Sequence, residues 1–176
     1  MKFFNSFYKY GLVAKVFHWV TFVLLLLQFP LGLYLVSIDF SESRITLEEL
    51  HIFFGIIIFY VTASRLIWKF IDPKPSRKKG LFKGQIILAK INYFLMYSSL
   101  LAITVSGMLK KLFMGENLNF IFFKLQFIES NFELADFFYS VHIYANYLLV
   151  LLIIVHILAV IVHHYIYKEN ILSKML

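Results

Sequence analysis

Residues 138–165 read FYSVHIYANYLLVLLIIVHILAVIVHHY, with no charged side chain anywhere in the run. That is far longer than a buried strand of about 5–10 residues and exceeds the roughly 20 residues of helix that cross a bilayer. Its apolar residues do not alternate with polar ones, as the strands of a membrane barrel must. The run therefore reads as a transmembrane helix, and it carries His142 and His156 inside it and His163 and His164 at its end.

Three further runs of the same kind occupy residues 16–37, 49–70 and 86–109, which predicts an all-α, integral membrane four-helix bundle formed by residues 1–176 as one transmembrane domain. Composition agrees. The chain is 61% hydrophobic and 15% charged, against about 45–50% and 25% for soluble domains. Four crossings use about half of the chain, leaving no room for a soluble catalytic domain or a nucleotide-binding fold. No small-residue cleavage site follows the first run, so it is expected to stay as a helix rather than leave as a signal peptide.

Orientation follows from the cations. Of the 17 Lys and Arg, 13 lie in the N-terminal segment, the second-to-third connection with the adjoining helix ends, and the C-terminal tail. Only Arg44, Lys110, Lys111 and Lys124 lie on the other side, with eight of the ten acids. The positive-inside rule then makes both termini cytoplasmic, and the net charge of +7 becomes a mark of sidedness. The basic run at residues 73–79 is expected to touch lipid headgroups rather than nucleic acid. The connection at 110–137 is too polar at its ends to span and is expected on the outer membrane surface or capping the bundle.

With no cysteine in the chain, disulfides, iron–sulfur clusters, thiolate nucleophiles and covalently attached haem are excluded. Any metal must be held by nitrogen or oxygen, and histidine is the first ligand to consider. Histidines inside a span are costly and usually functional. His142 and His156 are 14 residues apart, about 40° short of four turns and about 21 Å along the axis, so they share a face at two depths. His18 lies near the cytoplasmic start of the first span and His51 near the outer start of the second. Depth thus pairs His18 with His156 on the inner side and His51 with His142 on the outer side.

Two histidines facing one another across a bundle suit the axial positions of a non-covalent b haem. Gly32, 14 residues after His18, falls on the same stripe at the outer level, and Gly55 is four residues after His51. Arg65, 14 residues after His51, reaches the inner level, where it either pairs with a haem propionate or extends to the cytoplasmic headgroups. A closed zinc site suits the pattern less, because it needs four ligands close together and the two pairs lie about 20 Å apart. His163 sits about 10 Å beyond His156 and 20° off its face. There it is either a hydrogen-bond and proton donor for a quinone carbonyl or an ordinary interfacial histidine; His164 stays unassigned.

These residues resemble the bacterial cytochrome b561 family. The resemblance covers nearly the whole chain: Phe17-His18-Trp19 opening the first span; Arg44 seven residues before His51, then Gly55 and Arg65; Ser106-Gly107 late in the third; and His156, His163-His164-Tyr165, Lys168-Glu169-Asn170, Leu172 and Lys174-Met175 at the end. It implies two b haems with bis-histidine ligation, no ligand from the third helix, and a place in the bacterial inner membrane. Some members are superoxide:ubiquinone oxidoreductases, which implies superoxide as outer donor, ubiquinone or menaquinone as acceptor, and His163 as a quinone contact. Related cytochromes are electron-transfer subunits of a hydrogenase or other dehydrogenase, which implies a partner protein instead. A proton-coupled transporter is a further reading of buried histidines, but the third span offers only Ser98, Ser99, Thr104 and Ser106 to line a path.

Overall fold

A computed structural model of the chain describes residues 3–7, 9–72, 75, 83–127, 129–168 and 172–176. Most of the basic run at 73–79 and the Glu169-Asn170 pair lie outside the described residues. Four helices dominate: α1 (Leu12–Ser37), α2 (Glu42–Ile71), α3 (Lys83–Phe113) and α4 (Phe132–Tyr165), each long and apolar enough to cross a membrane. At 34 residues α4 is about 51 Å long, well beyond a hydrocarbon core of about 30 Å, so its ends project into the interfaces.

The helix ends are set by local chemistry. Ser41 caps α2 by accepting from the Arg44 N–H (3.2 Å), with Glu42 in the first turn, and Asn131 caps α4 by accepting from the Leu134 N–H (3.0 Å), with Glu133 behind it. Carboxylates there face the positive end of the helix dipole. Lys110 and Lys111 occupy the last turn of α3, and Gly115, at φ +81°, turns the chain out of that helix.

Neighbours in sequence pack as antiparallel neighbours in space: α1 on α2, α2 on α3 and, most extensively, α3 on α4. Helices α1 and α4 do not pack extensively on each other, nor do α2 and α4. At mid-height all four helices meet in one apolar layer, in which buried Ile58, Leu100 and Leu149 are packed round by Leu24, Phe29, Met96 and Ile103. Leu149 lies seven residues from both His142 and His156, so this layer separates the two histidine levels. Many other large apolar side chains face outward along the helices, as they must in lipid.

Between α3 and α4 the chain makes a β-hairpin, β1 (Leu118–Phe120) paired antiparallel with β2 (Phe123–Leu125). This corrects the expectation of a segment lying on the outer surface or over the bundle end. Leu118 is fully buried against Ile56, Met108 and Leu112, and the Phe122 ring meets Tyr60 at 6.0 Å. Tyr60 lies nine residues, about 13 Å, beyond His51 along α2, so the hairpin folds back along the α2–α3 seam. Pairing the two strands satisfies part of its backbone internally, which lets its apolar side chains pack on that seam.

On the opposite side the two ends of the chain are tied together. The Asn5 N–H donates to both carboxylate oxygens of buried Asp72 (3.1 and 2.9 Å), Asn5 Oδ1 accepts from the Gly11 N–H (2.7 Å), and Phe4 stacks on Trp68. A Cβ on Gly11 would sit 2.3 Å from the Phe3 carbonyl oxygen, so the fold-back requires glycine. The 3-10 turn Leu172–Lys174 closes the arrangement: Tyr10 N–H donates to Lys174 O (3.2 Å), Trp19 Nε1–H to Met175 O (3.1 Å), and Lys15 Nζ to the carbonyl of Leu176.

Two histidine pairs at two depths

The inner pair joins α1 to α4. The rings of His18 and His156 lie 6.5 Å apart, centroid to centroid, at 60° to each other. The other two helices complete the surroundings: Tyr93 of α3 lies 6.1 Å from the His156 ring, and Arg65 of α2 donates from Nη2 to His18 Nδ1 at 3.2 Å, its guanidinium over the Tyr97 ring. The outer pair joins α2 to α4, with the rings of His51 and His142 6.2 Å apart at 71°. The helices that supply each pair are the ones that do not pack closely on one another. Each pair therefore links two helices that are not in extensive contact with one another.

These separations can be tested against a haem. A metal–imidazole bond of about 2 Å on each side, with the centroid about 1 Å behind each nitrogen, puts two trans imidazoles about 6 Å apart. Both pairs meet that distance. Among the described residues no three ligand side chains cluster, so each pair would supply two ligands, as a b haem could use. His142 is set up for the role: its Nδ1–H donates to the Ile103 carbonyl on α3 (2.8 Å), which fixes the tautomer and leaves the Nε2 lone pair free. His51 Nδ1 is buried with no hydrogen-bond partner, so one polar atom of that ring is not spent on protein. At His18 the Nδ1 atom accepts from a guanidinium that has only N–H groups, which puts the ring proton on Nε2.

The glycines divide by neighbour. A Cβ on Gly32 would lie 3.1 Å from His51 Cε1, so this α1 glycine, read from its 14-residue spacing to His18, lies against the outer pair. Gly55 faces Gln28 instead, at 3.6 Å. Beside it, Gln28 Nε2 donates to the His51 carbonyl (2.9 Å). Gly107 of α3 has no assigned role in the sequence reading, yet a Cβ there would lie 3.1 Å from both Cε1 and Nδ1 of His142. A glycine in the outer part of the span that lacks histidine was the available signal. His163 packs its ring on Tyr167 (5.3 Å) and His164 on Tyr165.

Residues 9–176 match the family model described as prokaryotic cytochrome b561. Among curated proteins the chain is similar to cytochrome b561 homolog 2 of Escherichia coli K12, 27% identical over 179 residues that cover all of this chain and 95% of that protein. It is also similar to cytochrome b561 homolog 1 of the same organism, 26% identical over 170 residues covering 90% and 92%. With the match running across the four helices and all six histidines, the chain belongs to the prokaryotic cytochrome b561 family, as a membrane b-type cytochrome of electron transfer.

Proposed function

We propose that the protein holds two b haems, one between His18 and His156 and one between His51 and His142, and carries electrons from a donor at the outer face to a quinone at the inner face. The observation that supports this most is the pair of ring separations, 6.5 and 6.2 Å, at two depths of one bundle. Bound haem would supply one-electron chemistry. The chain contributes four ligands, a tautomer fixed by the Ile103 carbonyl, and the Arg65 cation at the inner level. If these four histidines hold the haems, no ligand position is left open at either, which would suit electron transfer rather than oxygen binding. On this reading His163, at the C-terminal end of α4 and against Tyr167, would hydrogen-bond a quinone carbonyl.

Superoxide is the proposed donor, and a partner dehydrogenase or hydrogenase is the second reading. The outer charges favour the second. Of the four outer cations, Lys110 is paired with Glu48 (3.4 Å) and Lys111 with Glu116 (2.6 Å), while Arg44 donates to the Ile38 carbonyl. A surface on which two of the four cations are paired with carboxylates steers an anion weakly. Purified protein is expected to contain two low-spin, six-coordinate haems per chain by optical and EPR spectroscopy. Protein that stays free of haem under haem-replete expression would refute the reading. Haem reduction by a superoxide source in the isolated protein selects the first donor; reduction only with a co-purified dehydrogenase selects the second.

A further inference from the structure

The one cross-helix ion pair among the described residues stands directly over the outer histidines. Glu48 precedes His51 by three residues on α2, and so lies on nearly the same face one turn further out. Lys110 follows Gly107 by three residues on α3, and Gly107 is the position packed on the His142 ring. Lys110 Nζ meets Glu48 Oε1 at 3.4 Å, both side chains partly exposed. Glu48 is thus one turn from His51, and Lys110 one turn from the glycine that packs on His142. The inner level has Arg65 against His18 and the Tyr97 ring, with Lys69 over the same ring. The two levels thus differ in electrostatic construction: cations gathered round Tyr97 inside, a pair of opposite charges outside.

We infer that Glu48 and Lys110 act as opposed settings on the outer redox centre, Lys110 raising its potential and Glu48 lowering it, so that the paired charges hold it near an intermediate value. This rests on the reading that His51 and His142 ligate a haem. When that iron goes from ferric to ferrous it gains one electron, and the centre becomes more negative by one charge. A nearby cation favours that change and a nearby carboxylate opposes it. A partly screened charge within about 10 Å should shift the ferrous-to-ferric ratio about three- to tenfold at fixed ambient potential, or about 30 to 60 mV for a one-electron couple.

The test is a spectroelectrochemical titration of the purified, haem-loaded protein, with the outer centre identified as the one missing from His142→Ala. Lys110→Met should lower the outer potential, Glu48→Gln should raise it, and the double variant should return close to the starting value, with the inner potential unmoved throughout. Lys111→Met is the control. It breaks a similar ion pair at the same helix end, 100° around α3 from Lys110, and should leave the outer potential in place. If Lys110→Met and Glu48→Gln move it in the same direction, the pair is only a structural brace and the inference is overturned. The same holds if Lys111→Met moves it as far. If no variant, nor the parent, shows a second haem by its spectrum and haem-to-protein ratio, the di-haem reading falls and takes the inference with it.

Discussion

Replacing Gly107 by valine puts branched carbon where the His142 ring now lies. Even the first added atom, the Cβ, would sit 3.1 Å from both Cε1 and Nδ1, several tenths of an ångström inside ordinary contact. The ring cannot give way freely, because its Nδ1–H is bonded to the Ile103 carbonyl at 2.8 Å on the same helix as the glycine. Alanine forces a small shift. Overpacking of this kind costs about 1–3 kcal/mol, against a gain of up to about 1 kcal/mol in helix propensity. A net cost of about 1 kcal/mol at the ligand is roughly fivefold in outer-haem affinity, and valine, with two further carbons, should abolish binding at that level. Gly32→Ala should act in the same direction through His51 Cε1 at 3.1 Å, whereas Gly55→Ala meets Gln28 Nε2 at 3.6 Å, an ordinary contact, and should be neutral. The assay is haem per chain with the EPR signals of the two low-spin centres resolved. Gly107→Val protein that retains both centres with unaltered EPR signals would refute the argument, as would a Gly55→Ala loss equal to that of Gly32→Ala.

Other outcomes follow from the same geometry. His18→Ala or His156→Ala should remove one haem signal, and His51→Ala or His142→Ala the other, each measured as one haem remaining per chain. Loss of both signals from every single variant would mean that the levels are not independent. His163→Leu should lower quinone reduction while leaving both haem spectra intact; unchanged turnover would make it an interfacial side chain. Asp72→Asn weakens the carboxylate that accepts twice from the Asn5 N–H and should cost about 1–3 kcal/mol. Limited proteolysis should then cut residues 3–11 faster, with haem content unchanged; equal cutting rates would show that the tether carries no load.

Much of the architecture is legible because it depends on local properties. Residues 138–165 have one conformation open to them in a bilayer, and once a helix is granted, the 14-residue spacing of His142 and His156 fixes two depths. The spacing from His18 to Gly32 likewise places that glycine beside the other level, where the structure finds it. The reading weakens where distant residues decide. Gly55 lies one turn from His51 and looks like part of the same pocket, but α1 brings Gln28 into that space. The hairpin at 118–125 depends on an apolar seam supplied by α2 and α3, which no window of its own sequence displays. The union of the N-terminal part of the chain with 172–176 uses the backbone carbonyls of Lys174, Met175 and Leu176 as acceptors, and backbone acceptors leave no trace in the pattern of side chains.

The layer of Ile58, Leu100 and Leu149 between the two histidine levels has a consequence for the cell. Its packed members are all apolar, so it forms a low-dielectric layer between the two levels. On the proposed reading, charge passing between the levels does so as bare electrons, across about 21 Å of a hydrocarbon core of about 30 Å. Transmembrane voltage then becomes a term in the reaction. A full crossing is worth about 2.3 kcal/mol per charge for every 100 mV, and with the cytoplasm negative, inward electron flow runs against it. An energised membrane would therefore slow the protein, and a discharged one would release it.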